Sequence, residues 1–321
     1  MQPTPVPLVS VIVPAYNTAP FIAETLDSVF AQSMTDYEVI VVNDGSPDTP
    51  ALEQALLPYR DRIRYIVQPN GGLSAARNTA IRASRSELVA FLDSDDAWEP
   101  DYLKYQLKEL TDRGLTVVYA DATIFGDTRL AGQRFMDVHR STGPVTIESL
   151  VTQRCNVMVS VLARREAVVN AGSFDESLRS SEDFDLWLRI VRAGGQIGYH
   201  RRALVRSRLR HDSLSANGIS MCHHIVRVLD KAVRELDLSP HEREVIAGKR
   251  RDFSAMLRLH EGKRAFLAGR YAEAAAALAE ANRHLRRLKL TMAVMLLRLV
   301  PGLLLKAYDL RHRLVFGGAA R

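Results

Sequence analysis

Asp93-Ser94-Asp95, with Asp96 next, packs three carboxylates into four residues directly after the apolar run Leu88–Leu92. Carboxylates this close repel one another unless a cation or solvent compensates them. An all-oxygen set of this kind selects hard ions such as Mg²⁺ or Mn²⁺, which bridge to phosphate oxygens rather than sit in all-protein cages. The same residues could equally form a solvated acidic turn ahead of the helix announced by Trp98-Glu99-Pro100-Asp101. A second acidic pair, Glu182-Asp183, opens a helical pattern, where acids suit the first turn and a carboxylate could also serve as a general base. Asp44, in Asn43-Asp44-Gly45-Ser46, could accept a hydrogen bond from a base or ribose, or could simply shape a turn. Gly71-Gly72 permits close backbone approach just before Arg77, whose guanidinium could grip a phosphate bidentately or act as a strut for an acidic loop.

The elements needed to position these groups are written in residues 8–93. Val9–Pro14, Tyr37–Val42, Ile63–Val67 and Leu88–Leu92 read as strands, separated by helical patterns at 20–32, from Thr49-Pro50, and at 73–83. We expect Thr49 at an N-cap with Pro50 in the first turn. This alternation predicts an α/β fold with a mainly parallel sheet and helices on both faces. Ligands bind such sheets at the carboxyl ends of the strands. Ala15-Tyr16-Asn17, Asn43–Ser46 and Asp93–Asp96 all fall at those ends.

Here the chain resembles a known family. The runs VSVIVPAYNTAPFIAETLDSVFAQ, YEVIVVNDGSPD, NGGLSAARNTAI and ELVAFLDSDD are similar, in order, to the N-terminal half of family 2 glycosyltransferases. SFDESLRSSEDFDLWLRIVRAGG resembles the acceptor-side segment of that family, and RLRHDSLS its closing His-containing loop. The resemblance covers about residues 7–217 and implies a GT-A type fold that transfers sugar, with inversion, from a nucleoside diphosphate sugar. It also implies that Pro14, Tyr16 and Asp44 line the base and ribose pocket, with Arg77 on the nucleotide side. Asp93 would lie near ribose and metal, Asp95 would be the principal ligand of Mg²⁺ or Mn²⁺, and Asp183 would be the catalytic base. Glu182 would orient the acceptor or make an internal ion pair, and His211 would approach diphosphate or metal. By the family's habit the donor is a UDP-sugar. Asn43 stands where an acid often precedes the Asp44 equivalent, and Ser181 where Gly is frequent. The Q-x-x-R-W motif of processive members is absent, so transfer of single residues is expected, and a membrane-held C-terminal region would suit a glycan or lipid-linked acceptor.

Bulk properties narrow the classes. The 321 residues are 47% hydrophobic and 25% charged, ordinary for a globular chain that needs no covalent staples. Cys155 and Cys222 form no CxxC pair and read as two buried thiols. The opening MQPTPVPLVS lacks a basic start and a long apolar stretch, so the catalytic part is expected in the cytoplasm. The net charge of +6 is concentrated from Arg283 onward, where nine Lys/Arg face only Asp309. The remainder carries 34 basic and 36 acidic residues, which gives no support to a nucleic-acid partner.

The predicted organisation is a catalytic domain at 1–217, a helical hairpin region at 218–287 and a basic apolar tail at 288–321. Met221–Leu236 reads as an amphipathic helix, Ser239-Pro240-His241-Glu242 as a capping box opening a long helix toward Ala268, and Tyr271–Leu285 as its Ala-rich partner. The hairpin has one tetratricopeptide-like copy and no second, so a solenoid is not expected. Arg298 and Pro301-Gly302 interrupt the tail's apolar stretch, so a helix in the membrane interface, peripheral at the cytoplasmic face, is expected rather than a crossing one. Arg129–Val145, with its Gly and Pro breaks, is expected to be a lid. Two alternatives are a sugar-nucleotidyltransferase, disfavoured because no Gly-rich basic triphosphate loop stands at the N-terminus, and a non-catalytic protein using the hairpin for interaction.

Overall fold

The computed structural model describes residues 6–210 and 218–300, so His211 lies outside the described residues. The chain divides into two compact units, Met1–Ala216 with Lys231–Val245, and Asn217–Asp230 with Ile246–Arg321.

In the first unit β1 (Val9–Ala15) is followed by α1 (Ile22–Phe30), β2 (Tyr37–Asp44), α2 (Thr49–Leu56), β3 (Arg64–Gln68), α3 (Leu73–Ala83) and β4 (Leu88–Phe91). All seven residues of β1 are buried, as a parallel strand covered on both faces requires. Leu26 and Val29 of α1 and Leu52 and Leu56 of α2 join its cluster. Each such side chain contributes about 1.5–3 kcal/mol by leaving water. Thr49 does not cap α2; Asp48 holds that position. The Thr49 hydroxyl is used inside the preceding turn instead, donating to the Ser46 carbonyl at 2.6 Å and accepting from Asn43 Nδ2 at 2.9 Å.

The chain continues through β5 (Ala97–Trp98), α4 (Tyr102–Asp112), β6 (Val117–Phe125), α5 (Phe135–Val138), α6 (Ile147–Val151), β7 (Val161–Arg164), α7 (Arg165–Asn170), α8 (Glu182–Arg192) and β8 (Ile197–Arg208). One eight-stranded sheet results, in the order β3-β2-β1-β4-β7-β6-β8-β5. Pairing is parallel from β3 through β4 and between β6 and β8, whereas β7 and β5 run antiparallel to their neighbours. The segment expected as a lid is laced to β6. Arg134 pairs with buried Asp121 at 2.8 Å, and the Tyr119 hydroxyl donates to Ser141 Oγ at 2.7 Å.

Register sets the rim. β1 and β2 pair from Val9↔Tyr37 to Ala15↔Asn43, so their carboxyl ends finish level. β4 pairs with β1 only as far as Ile12↔Phe91, leaving residues 92–96 to turn across the same end.

After β8 the chain order continues with α9 (Gly218–Glu235), α10 (Pro240–Leu267), α11 (Tyr271–Leu285) and α12 (Leu288–Leu299). The capping box forms as expected: Ser239 Oγ accepts from the Glu242 N–H at 3.2 Å, and Glu242 Oε2 accepts from the Ser239 N–H at 2.8 Å. In the second unit Gly262 lets α10 approach α11 closely, since a Cβ there would sit 2.8 Å from Leu278. Leu259, Phe266, Leu278, Val294 and Leu297 form this unit's own core.

Candidate active site

The loops after β1 and β2 are tied together before any ligand arrives. Asn43, fully buried, donates to Thr49 Oγ1 and Tyr65 OH at 2.9 Å and accepts from the Ser46 N–H at 2.9 Å. Ser46 Oγ in turn accepts from the N–H of Asn17, a residue with φ of +55°. Asp44 is 3% exposed. Its Oδ1 accepts from Gln68 Nε2 at 2.7 Å and the Gly71 N–H at 2.9 Å, and its Oδ2 from the Gly72 N–H at 2.8 Å. Gly45 has φ of +61°, and a Cβ there would meet the Asn70 nitrogen at 2.6 Å, so the turn admits only glycine without rearrangement. Asp44 therefore fixes the Gly71-Gly72 segment that leads into α3, while retaining lone pairs for a further donor. Pro14 is buried within β1, and Tyr16 stands on the rim, 51% exposed.

The acidic turn after β4 is held from several sides. The Asp96 N–H donates to the Asp93 carbonyl at 3.0 Å, and Ser94 Oγ donates to Thr18 Oγ1 at 2.9 Å. Asp96 Oδ1 accepts from the Arg208 N–H at 2.7 Å, the Asp95 carbonyl accepts from Arg208 Nε at 2.9 Å, and Arg210 Nη1 lies 3.3 Å from Asp95 Oδ2. The Arg208 guanidinium lies over the rings of Phe125 and Phe21 and pairs with Glu24. Burial first, then the charge of Asp93, pushes the Asp95 carboxyl above its ordinary value. Burial and the charges of Asp93 and Asp95 push Asp96 well above it. Burial and mutual repulsion thus oppose ionisation of Asp95 and Asp96, against the lowering contacts of Arg210 and Arg208.

Arg77 lies at the centre, 1% exposed. Its Nη2 donates to Asp93 Oδ1 at 2.7 Å and its Nη1 to Glu182 Oε1 at 2.6 Å, joining the β4 turn to the start of α8. The Phe174 ring lies 5.2 Å from the guanidinium carbon. Burial opposes the charge, but Asp93, Glu182 and Asp183 together hold the guanidinium firmly protonated. Both terminal nitrogens of this residue face carboxylates.

α8 begins after Ser181, which has φ of +60°, so Glu182 and Asp183 occupy the first turn. Burial first, then the neighbouring Glu182 charge, raises the Asp183 carboxyl to about 7, against the lowering influence of Arg77. Asp183 Oδ1 also accepts from the Phe184 N–H at 2.7 Å. The helix is anchored one turn on, where buried Asp185 pairs with Arg189 at 2.6 Å and Lys231 at 3.0 Å; Lys231 also reaches Asp175 at 2.6 Å.

Of the residues singled out from sequence, Asp93, Arg77, Glu182 and Asp183 thus form one cluster. Asp95 lies on the same turn, and Pro14, Tyr16 and Asp44 belong to the adjoining strand ends. Asp96 is read from sequence only as a member of the acidic turn, and Glu24, Arg208 and Arg210 are not read as site residues. Only the DxD-like spacing hinted at Asp96, and nothing local to β8 marks its arginines as partners of the acidic turn. Among the described residues no group of three or more His, Cys, Asp or Glu side chains is arranged to hold a metal. Asp93 and Asp95 fit a hard divalent ion only as a two-carboxylate platform, completed by ligand or water oxygens.

The chain matches the family model described as glycosyl transferase family 2 over residues 10–173. An uncharacterised glycosyltransferase of Rickettsia typhi is 31% identical over 225 residues, covering 67% of this chain and 68% of that protein. The hyaluronan synthase of Pasteurella multocida is 31% identical over 231 residues, covering 70% of this chain and 23% of the synthase. The chain spans about a third of the length of related uncharacterised glycosyltransferases of Rickettsia felis and Rickettsia bellii, 35% and 30% respectively. Among solved structures, TarS of S. aureus in complex with UDP-GlcNAc superposes with a TM-score of 0.63 at 18% identity, covering 87% of this chain and 92% of that one. The mannosyltransferase PcManGT of Pyrobaculum calidifontis, in complex with GDP-Man and Mn²⁺, gives 0.60 at 22% identity, covering 95% of this chain and 88% of that one. At these identities the likeness establishes the GT-A fold.

Proposed function

The chain belongs to glycosyl transferase family 2, and from that premise we propose that it transfers a single sugar, with inversion, from a nucleoside diphosphate sugar to a glycan or lipid-linked acceptor. Uridine is the base proposed. The observation that carries this reading is the bridge Asp93–Arg77–Glu182, buried at Arg77 and Glu182 and half-buried at Asp93, which sets the raised carboxyl of Asp183 against the acidic turn through one guanidinium. Inverting displacement needs a base on the acceptor side and charge neutralisation on the leaving-group side. A carboxyl near 7 is matched to taking a proton from an acceptor hydroxyl at neutral pH, because its basicity is raised while much of it stays ionised.

In this reading Tyr16 offers its exposed ring to the base, Pro14 shapes the floor beneath it, and Asp44 accepts from ribose or base while bracing Gly71 and Gly72. Glu182 positions Asp183 and helps orient the acceptor. Asp93 and Asp95 would hold Mg²⁺ or Mn²⁺, which when bound supplies charge neutralisation at the departing diphosphate. Arg77, spent on two carboxylates, acts on the nucleotide only through Asp93. His211 stays proposed as a diphosphate or metal contact.

Calorimetry with UDP-, GDP- and dTDP-sugars, with and without Mn²⁺, tests the donor site. Binding of one nucleotide class that weakens without metal and in Asp95→Ala supports the reading. Folded protein that binds none of them refutes it and favours a non-catalytic GT-A protein.

A further inference from the structure

α12 has two apolar faces. Val294 and Leu297 are buried in the second unit's core, with Leu290 packed beside them. Leu288, Met292, Met295 and Leu299 are exposed, by 75%, 56%, 57% and 78%. At 3.6 residues per turn these four fall within an arc of about 60°, on the side of the helix opposite the buried trio. Lys289 projects about 90° to one side of the stripe's centre and Arg298 about 90° to the other, and both are exposed. Residues 281–300 contain five Arg/Lys and no Asp or Glu.

We propose that this outer face of α12 docks on an anionic lipid surface, with the Leu/Met stripe entering the headgroup boundary and Lys289 and Arg298 contacting lipid phosphates on either side. An apolar arc flanked by cations is the pattern of a helix lying in the interface plane, and the long cationic side chains can keep their charges in water while their stems cover apolar surface. Spanning is excluded for this helix, because twelve residues reach about 18 Å against a hydrocarbon core of about 30 Å. No helix among the described residues is long and apolar enough to cross. A second copy of the chain is a poorer occupant, since a two-fold pairing of the stripe would bring cations against cations, with no Asp or Glu in residues 281–300 to offset them. Docking of α12 on lipid is independent of the transfer reaction.

The test is cosedimentation of the full chain with vesicles of phosphatidylcholine alone and of phosphatidylcholine with phosphatidylglycerol. The expected result is at least roughly tenfold stronger partition to the anionic vesicles, weakened by salt, because each basic residue near such a surface adds attraction. Leu288→Ser/Met292→Ser/Met295→Ser/Leu299→Ser should abolish binding, and Lys289→Glu/Arg298→Glu should remove the anionic preference. All six positions are solvent-facing, so unchanged circular dichroism is expected in both variants. Equal partition to both vesicles, or wild-type binding by the stripe variant, overturns the proposal. So does a lipid-free dimer that the stripe variant dissolves, which would assign the face to a second copy.

Discussion

Replacing Arg77 by Gln removes a cation that joins the β4 turn to α8. The guanidinium is 1% exposed, donates at 2.7 and 2.6 Å, and faces a Glu182 side chain that is itself only 8% exposed. Withdrawing one partner from a buried ion pair strands the other charge, which costs about 3–5 kcal/mol. The loss has a pH signature. Arg77 lowers the Asp183 carboxyl, which burial and Glu182 hold at about 7, so without the guanidinium that carboxyl rises further above its unfolded value. The added loss is absent at low pH, where the Asp183 carboxyl is protonated in folded variant and wild type alike, and appears as pH rises through about 7. Arg77→Gln should therefore be more destabilised at pH 8 than at pH 5 in urea unfolding followed by the fluorescence of buried Trp98 and Trp187. Adding Glu182→Gln should restore part of the loss, a coupling that a double-mutant cycle measures. Because Arg77 holds Asp183 down, the acid limb of the kcat/KM profile should also move to higher pH. A loss below about 1 kcal/mol, or one identical at both pH values, would refute the strut as the organising contact.

In the unmodified protein, protonation of a base near 7 should lower kcat/KM by about tenfold per pH unit below that value, measured as the acid limb of transfer against pH. Asp44→Ala strips the acceptor from three N–H donors of Gln68, Gly71 and Gly72, and should cost about 2–3 kcal/mol in chemical denaturation while weakening donor affinity in calorimetry. Gly262→Val forces a side chain against Leu278 and should destabilise the helical unit by about 1–3 kcal/mol, read as loss of helical circular dichroism on heating.

The first half of the sheet was legible because its strands are short apolar runs, each closed by a polar cluster, and because a buried parallel strand such as β1 reads as continuous hydrophobicity. The second half was not. β8 carries YHRRALVRSR, whose arginines look like surface charge. In the structure Arg206 and Arg208 lie over Phe125, and both pair with Glu24, contacts far apart in sequence that leave no periodic trace. The mixed pairing around β7 was equally hidden, since strand direction is set by partners and not by the strand's own residues. At the site, Asp93, Asp95 and Asp183 could be picked out by type and spacing. The choice for Arg77 between phosphate grip and strut could not be made, because its second partner, Glu182, lies 105 residues away. Asp44 was legible as a turn residue, but not its grip on two glycine amides across the β2/α3 gap.

The most direct test of the account is Asp183→Asn, assayed for sugar transfer and for donor binding on the same preparation. The substitution keeps an oxygen to accept from the Phe184 N–H, so the first turn of α8 should persist. The account predicts transfer lowered by at least roughly a hundredfold with donor affinity in calorimetry unchanged, the signature of a missing base in an intact site. Transfer at the original rate by this variant would contradict the assignment of Asp183 as the base, and with it the reading of the Asp93–Arg77–Glu182 bridge as the frame of the reaction.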